Sequence, residues 1–349
     1  MRIRRIALVL ATMVCLAGPA PAAAQTGIEA ALGWLRSQQN TDGGFSNGFS
    51  EGSDPAATAD AVVAIASAGQ DPSSWLQEGV SPLDYIGLDA GNADSPGLAA
   101  KLALAAVAAG ENPRAIGGVD LIARIVEGFD PTAGFFGGGP YESALSVLAL
   151  RSAQEPLPTG AVPGLLAARQ PDGTYSFSGD MTPGSGDSNT TALVVQALLI
   201  AGQGVEVLPS LAYFRRAQNA DGGWTYQKPS AFGEDTDANS TALVIQALLS
   251  AGQDLATWGD PERALRGLQG SSGALAFQAA TPGDNFLATV QAIPAMAAVD
   301  LTDLSRLPAT FAQSGRGESG RAVLVATLVL IGGLLLVAAL FGRRPRTGS

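Results

Sequence analysis

The sequence contains no histidine and a single cysteine, Cys15, which sits in an apolar run close to the N-terminus. A domain without either residue has no disulfide, no thiolate metal ligand and no Ser-His or Cys-His catalytic pair. Basic residues are also scarce, 20 against 31 acidic, and the net charge is −11. Nucleic acid and anionic lipid are poor partners for such a surface, whereas calcium, cationic ligands or simple solubility in salt are compatible with it. Aromatics make up 6% of the chain and fall mainly in loops, so aromatic packing has to be local.

The two ends carry targeting signals. Arg2, Arg4 and Arg5 precede the apolar run Ile6–Leu16, and Ala22-Ala23-Ala24 offers a small-residue cleavage site before Gln25. This pattern predicts a signal peptide over 1–24 and a mature chain that starts at Gln25. Ala322–Phe341 is about 20 uncharged residues, long enough to cross a hydrocarbon core, and Arg343, Arg344 and Arg346 follow at once. The expectation is a transmembrane helix over 321–342, a cytoplasmic tail over 343–349 and an extracellular domain over 25–300, joined by a linker over 301–320. Removing the six arginines of the signal and the tail leaves 14 basic residues against 31 acidic ones, a balance of −17 outside.

Between the ends the chain repeats itself. An alanine-rich apolar helix ending in a short turn recurs six times, with turn residues Gly69, Gly110, Ala153, Gly202, Gly252 and Ala298 spaced 41 to 50 residues apart. A period of that size is a helical-hairpin period. Segments such as Ala192–Ala201 are apolar nearly all round, which predicts burial on most faces. The helices that precede them, such as Leu208–Gln218, are one-sided. Six buried and six amphipathic helices in alternation predict an inner barrel inside an outer ring, and closure leaves no apolar end exposed. Asp54, Asp187 and Asp237 fall in register just before inner helices, as do Asn189 and Asn239, and are suited to N-capping.

Gln39-Asn-Thr-Asp-Gly-Gly-Phe45, Gln170-Pro-Asp-Gly-Thr-Tyr175 and Gln218-Asn-Ala-Asp-Gly-Gly-Trp224 resemble the QW repeats of the prenyltransferase, squalene oxidase and terpene cyclase group. Gln269–Leu275 is a degenerate copy, and the third hairpin keeps Asp130–Phe135. The resemblance covers Gly27–Val299 and implies an all-α fold, the α/α-toroid, shared more distantly with transcobalamin-like proteins and the thioester domains of complement-type proteins. In the motif the glutamine is suited to bond loop and helix-start backbone, Asp-Gly-Gly to a tight turn, and the aromatic to the gap between hairpins.

The resemblance does not carry a catalytic set with it. Relatives that hold zinc use Asp, Cys and His, and thioester domains use a reactive Cys. Class II cyclases use an Asp-x-Asp-Asp acid and a further helical domain. Here the nearest match is Asp235-Thr236-Asp237-Ala238, which makes Asp235 and Asp237 the candidate acids. At the rim where the inner helices start, Phe45, Tyr175, Trp224, Tyr226, Glu234 and Asp187 are the candidate ligand-binding residues. The expected function is a membrane-anchored binding or interaction module for a small molecule, glycan or surface protein, without metal or cofactor. The alternative is a cyclase-like or polysaccharide-active enzyme using rim carboxylates.

Overall fold

The computed structural model of the chain describes residues 22–49, 51–230, 233–308 and 311. Among them are twelve α-helices. Six form an inner ring: α2 (Pro55–Ser67), α4 (Pro96–Ala109), α6 (Pro140–Ser152), α8 (Ser188–Ile200), α10 (Ala238–Ser250) and α12 (Phe286–Met296). The other six lie outside them: α1 (Ala22–Ser37), α3 (Pro82–Asp89), α5 (Leu121–Glu127), α7 (Ala161–Ala167), α9 (Leu208–Ala217) and α11 (Pro261–Arg266). Each inner helix packs on the next, and α12 packs back on α2, so the ring is closed.

Alanine makes this geometry possible. In α4, Ala99, Ala100, Ala103, Ala105 and Ala108 are all fully buried, so neighbouring backbones approach closely while the residue keeps the highest helix propensity. Leucines and isoleucines such as Leu102, Leu148 and Ile245 fill the space between the rings, each contributing roughly 1.5–3 kcal/mol on burial.

The outer helices are offset by one hairpin. α3 packs on α2, α5 chiefly on α4, α7 on α6, α11 chiefly on α10 and α1 on α12. Each outer helix therefore covers the inner helix of the hairpin before it. The motif glutamines tie this offset down. Gln39 Nε2 donates to Gly43 O (3.0 Å) in its own loop and to Trp75 O (2.9 Å) on the way into α3. Gln218 Nε2 does the same with Gly222 O (2.8 Å) and Trp258 O (2.5 Å) ahead of α11. In the degenerate copy Gln269 Nε2 reaches Gly273 O (2.8 Å) and Gly27 O (2.7 Å), joining the last hairpin to the first. Their second partner thus belongs to the next outer helix or to the approach to it, not to the start of the inner one. Gln170 departs from the pattern and donates to Asp180 O and Ser185 Oγ in a longer loop.

The motif glycines follow from the same contact. Gly43, Gly173, Gly222 and Gly273 all have positive φ, and a Cβ on each would collide with backbone of the next outer helix or of the residues leading into it: Ser81, Pro209 and Gly259 at the starts of α3, α9 and α11, and Ala30 in the middle of α1. In the third hairpin a two-residue antiparallel ladder, β1 (Phe129–Asp130) with β2 (Phe135–Phe136), carries the equivalent turn. Left-handed residues end the inner helices at Gly69, Gly110, Gly202 and Gly252, and at Gln154 and Ala298 where no glycine stands.

The first part of the stretch read as a linker is folded. Leu301, Leu304 and Leu307 recur every third residue, and a 3-10 turn at Leu304–Arg306 packs on α4 with Leu304 fully buried. Apolar side chains at that spacing seal the far end of the barrel. α1 begins at Ala22, so the predicted mature start falls inside its first turn. Residues 1–21 of the predicted signal peptide, the predicted transmembrane helix and the tail lie outside the described residues. Among the described residues no helix is long and apolar enough to cross a membrane.

Two glycines with nearly equal φ separate backbone strain from contact. A Cβ on Gly222 (φ +100°) would meet the Gly259 carbonyl, whereas one on Gly233 (φ +102°) would have nothing within 4 Å among the described residues. Gly222→Ala is expected to cost roughly 3 kcal/mol and Gly233→Ala about 1 kcal/mol, as measured by denaturant unfolding. Equal losses would show that the inter-hairpin contact is unimportant.

Candidate functional site

The inner helices start at one rim and leave a chamber of about 440 Å³ inside the ring, within the size range of small-molecule sites. Its lining follows the repeat register. Tyr141, Asn189, Asn239 and Leu287 stand nearest the rim, then Asp60, Lys101, Leu145, Leu193, Leu243 and Gln291, then Val63, Leu104, Gln246 and Pro294. Leu301 adds to the lining from the C-terminal segment, and its N–H is held by Gln196 Oε1 (2.9 Å). Tyr226, Phe177 and Phe277 come from the loops, and Tyr141 stacks on Phe177 with ring centroids 4.7 Å apart.

The predicted wall between hairpins is built in the same way in successive repeats. The amides of Phe45, Phe136, Tyr175, Trp224 and Leu275 donate to the hydroxyls of Thr58, Ser143, Thr191, Thr241 and Thr289 on the inner helices. Four residues before each threonine stands the N-cap: Asp54, Asp187, Asp237 or Asn285. Phe45, Tyr175 and Trp224 are consequently 0% exposed, and none of the three lines the chamber. Trp224 also donates its indole N–H to Phe214 O (2.8 Å).

Asp187, Tyr226 and Asp237 are brought together on the chamber, while Glu234 and Asp235 are not. Those two are exposed on the loop before α10, where Glu234 lies 4.0 Å from Lys228. Asp237 uses both oxygens in its cap, accepting from Ser240 N (2.7 Å) and Ser240 Oγ (2.8 Å). Burial still raises its carboxyl above the ordinary range, against those bonds. Asp187 uses one oxygen, Oδ1, for Thr190 N (2.6 Å); Oδ2 is buried with no hydrogen-bond partner among the described residues. Burial pushes this carboxyl from 3.8 up to about 6, partly offset by the Thr190 amide and by the Tyr226 hydroxyl near it. Tyr226 itself is pushed up to about 12, by burial and then by the charge of Asp187.

Sequence reasoning missed the rest of the polar lining. Asn189 Oδ1 and Gln246 Oε1 are also buried without a partner. Gln246 is fixed in orientation because its Nε2 donates to Gln291 O (3.3 Å), and Asn239 Nδ2 donates to Gln291 Oε1 (2.9 Å). Across the chamber Lys101 holds both oxygens of Asp60 at 2.9 and 2.7 Å, and that charge raises the lysine against the effect of burial. The overlooked signal was the register itself: Asp60, Lys101 and Gln291 occupy one helical position in otherwise apolar inner helices, and a polar group there can only face the axis. Among the described residues no cluster of acidic residues is placed to hold a metal ion.

The raised Asp187 gives a pH signature. A carboxyl whose folded pKa exceeds its unfolded value stabilises the fold below about 3.8, and that contribution is lost as pH rises through about 6. Relative to Asp187→Asn, wild-type stability is expected to fall by on the order of 3 kcal/mol between pH 3.5 and pH 7. Parallel unfolding curves of the two proteins across that range would contradict the placement of Asp187.

No family model matches the chain, and no curated protein matches it in sequence. Solved structures do. An unsaturated glucuronyl hydrolase specific for heparin superimposes with a TM-score of 0.58 at 10% identity, over 79% of this chain and 96% of its own. The type II terpene cyclase MstE from Scytonema gives 0.56 at 15%, over 78% and 97%. Haptocorrin in complex with Cbi gives 0.54 at 15%, over 82% and 69%. The chain is similar to all three in fold, and that fold is the α/α-toroid.

Proposed function

We propose that the chamber is a binding site for a small, largely apolar molecule that supplies hydrogen-bond donors. One observation carries the proposal: the cavity holds buried acceptors, Asn189 Oδ1 and Gln246 Oε1, that meet no donor among the described residues, together with Asp187 Oδ2, which lies outside its cap with the Tyr226 hydroxyl near it. Leaving a buried polar atom unpaired costs about 1–3 kcal/mol, so a ligand that pairs with them gains what the empty fold forgoes. The fold neighbours include one solved with Cbi and one specific for heparin, which agrees with a toroid used to hold a small molecule or glycan.

A second reading is favoured by Asp187. A carboxyl at about 6 in an apolar cavity can deliver a proton, and MstE is 97% covered by this chain, so one toroid of this size accommodates that protein's fold without a second helical domain. If the chamber is catalytic, its acid is Asp187 rather than Asp235, which points away, or Asp237, whose oxygens are both engaged.

Mass spectrometry of small molecules released from the purified full chain tests both. A common compound is expected from the wild type and is expected to be absent from Leu243→Trp, which fills the cavity. An acid-catalysed reaction predicts a different, unreacted compound from Asp187→Asn. Identical profiles from wild type and Leu243→Trp, at matched stability, would discard the binding site.

We further propose that the domain is exported and held at a membrane by Ala322–Phe341, with the C-terminus cytoplasmic. The chain then leaves from the far rim, where Pro308 lies against Gly110 at the end of α4, and the mouth faces away from the bilayer. With single cysteines at Phe49 and Arg306, both exposed, a headgroup-linked quencher is expected to reach the Arg306 site and not the Phe49 site. Stronger quenching at Phe49 would reverse the orientation.

A further inference from the structure

Resting on the binding reading, we infer that the chamber is selective for an amine: a protonated amino group carried on an apolar skeleton. The charged groups lining the chamber decide its sign. Asp60 and Lys101 cancel one another in a two-bond ion pair. Asp187 and Asp237 have no lysine or arginine within ion-pair distance among the described residues. Tyr141 and Tyr226 add no cation. The uncompensated charge in the cavity is therefore negative.

At five of the six inner-helix N-termini the cap residue, Asp54, Ser95, Asp187, Asp237 or Asn285, accepts a first-turn amide, which lowers the positive potential there; α6 starts at Gly139 without a side-chain cap.

The hydrogen-bond inventory selects the same group. Asp187 is 1% exposed, and its Oδ2 lies outside the cap at the level of the chamber mouth, with the Tyr226 hydroxyl near it. An ammonium has three donors and no lone pair, so it answers acceptors without needing one in return. A hydroxyl donates once and adds acceptors to a wall already rich in them. A carboxylate would face Asp187 and Asp237 directly.

The route in fits as well. Tyr226 and Phe277 line the chamber and stay partly exposed beside the Tyr141–Phe177 stack, and aromatic rings are groups against which a cation is stabilised. The acidic balance of the chain draws cations toward it. Leu145, Leu193, Leu243 and Leu104 then receive the apolar part.

Calorimetric titration of the full chain at pH 7.5 with decylamine, decanol and decanoate, each below its aggregation concentration, tests the inference. Decylamine is expected to bind about tenfold more tightly than decanol, with decanoate weakest, the margin of one charge-assisted hydrogen bond. Asp187→Asn keeps a good N-cap and is expected to weaken decylamine about tenfold and decanol by much less, the difference between the two losses reporting the charge. Decanol or decanoate binding as tightly as decylamine, or an unchanged amine affinity in Asp187→Asn, overturns the amine selectivity and leaves the chamber standing. If none of the three binds, the amine selectivity is overturned; if Leu243→Trp also leaves the released compounds unaltered, the chamber itself is not a site.

Discussion

Closure of the ring is the constraint on which the rest of the molecule depends. Because each outer helix chiefly covers the inner helix of the preceding hairpin, no hairpin buries its apolar surface alone. α1 packs chiefly on α12, more than 240 residues away in sequence, and contacts such as Gln269 to Gly27 and Trp34 to Asp284 join the two ends. An open array would leave α12 uncovered and α1 without a surface. The glutamine and the first glycine of the QW-like motif serve this one contact. The glutamine bonds across it, and the glycine lets the two backbones meet.

The chamber arises from the same arrangement. Six parallel inner helices bring six sets of free amides to one rim, and short polar side chains must answer them. Where the cap lies under a loop, as at Asp187 and Asp237, the carboxylate ends up buried beside an apolar cavity. A cap with both oxygens occupied is inert. One with a spare oxygen is a functional group: Ser240 gives Asp237 both its amide and its hydroxyl, one to each oxygen, whereas the Thr190 amide bonds Asp187 at Oδ1 and leaves Oδ2 outside the cap.

Much of the fold could be read from the residues, because it is written in repeats. The six turn residues spaced 41 to 50 apart, the apolar runs and the motif copies all survive comparison between hairpins. The site was harder to see. Aromatics such as Phe45, Tyr175 and Trp224 follow a turn signal and look like a rim, yet the hydroxyls of Thr58, Thr191 and Thr241 pull their backbones inward and bury their rings. Asp235 drew interest because it follows the motif, whereas burial, which sequence shows poorly, singles out Asp187. Asp60, Lys101 and Gln246 were visible as polar residues in apolar helices, but only the axis of a closed barrel gives them a common destination. Leu301–Leu307 has a loop's composition, and its leucines acquire meaning only from the open barrel end they cover.

That segment carries a mechanical consequence. Leu301 forms part of the chamber lining, its amide is clasped by Gln196 inside the barrel, and the chain then runs outward past Leu304 and Pro308. Tension applied along the chain beyond Phe311 is therefore borne first by the 3-10 turn and next by the Gln196 clasp. The stopper of the barrel is continuous with the chain that leaves the domain, so a pull strong enough to draw it out would open the cavity from below while leaving the ring itself closed.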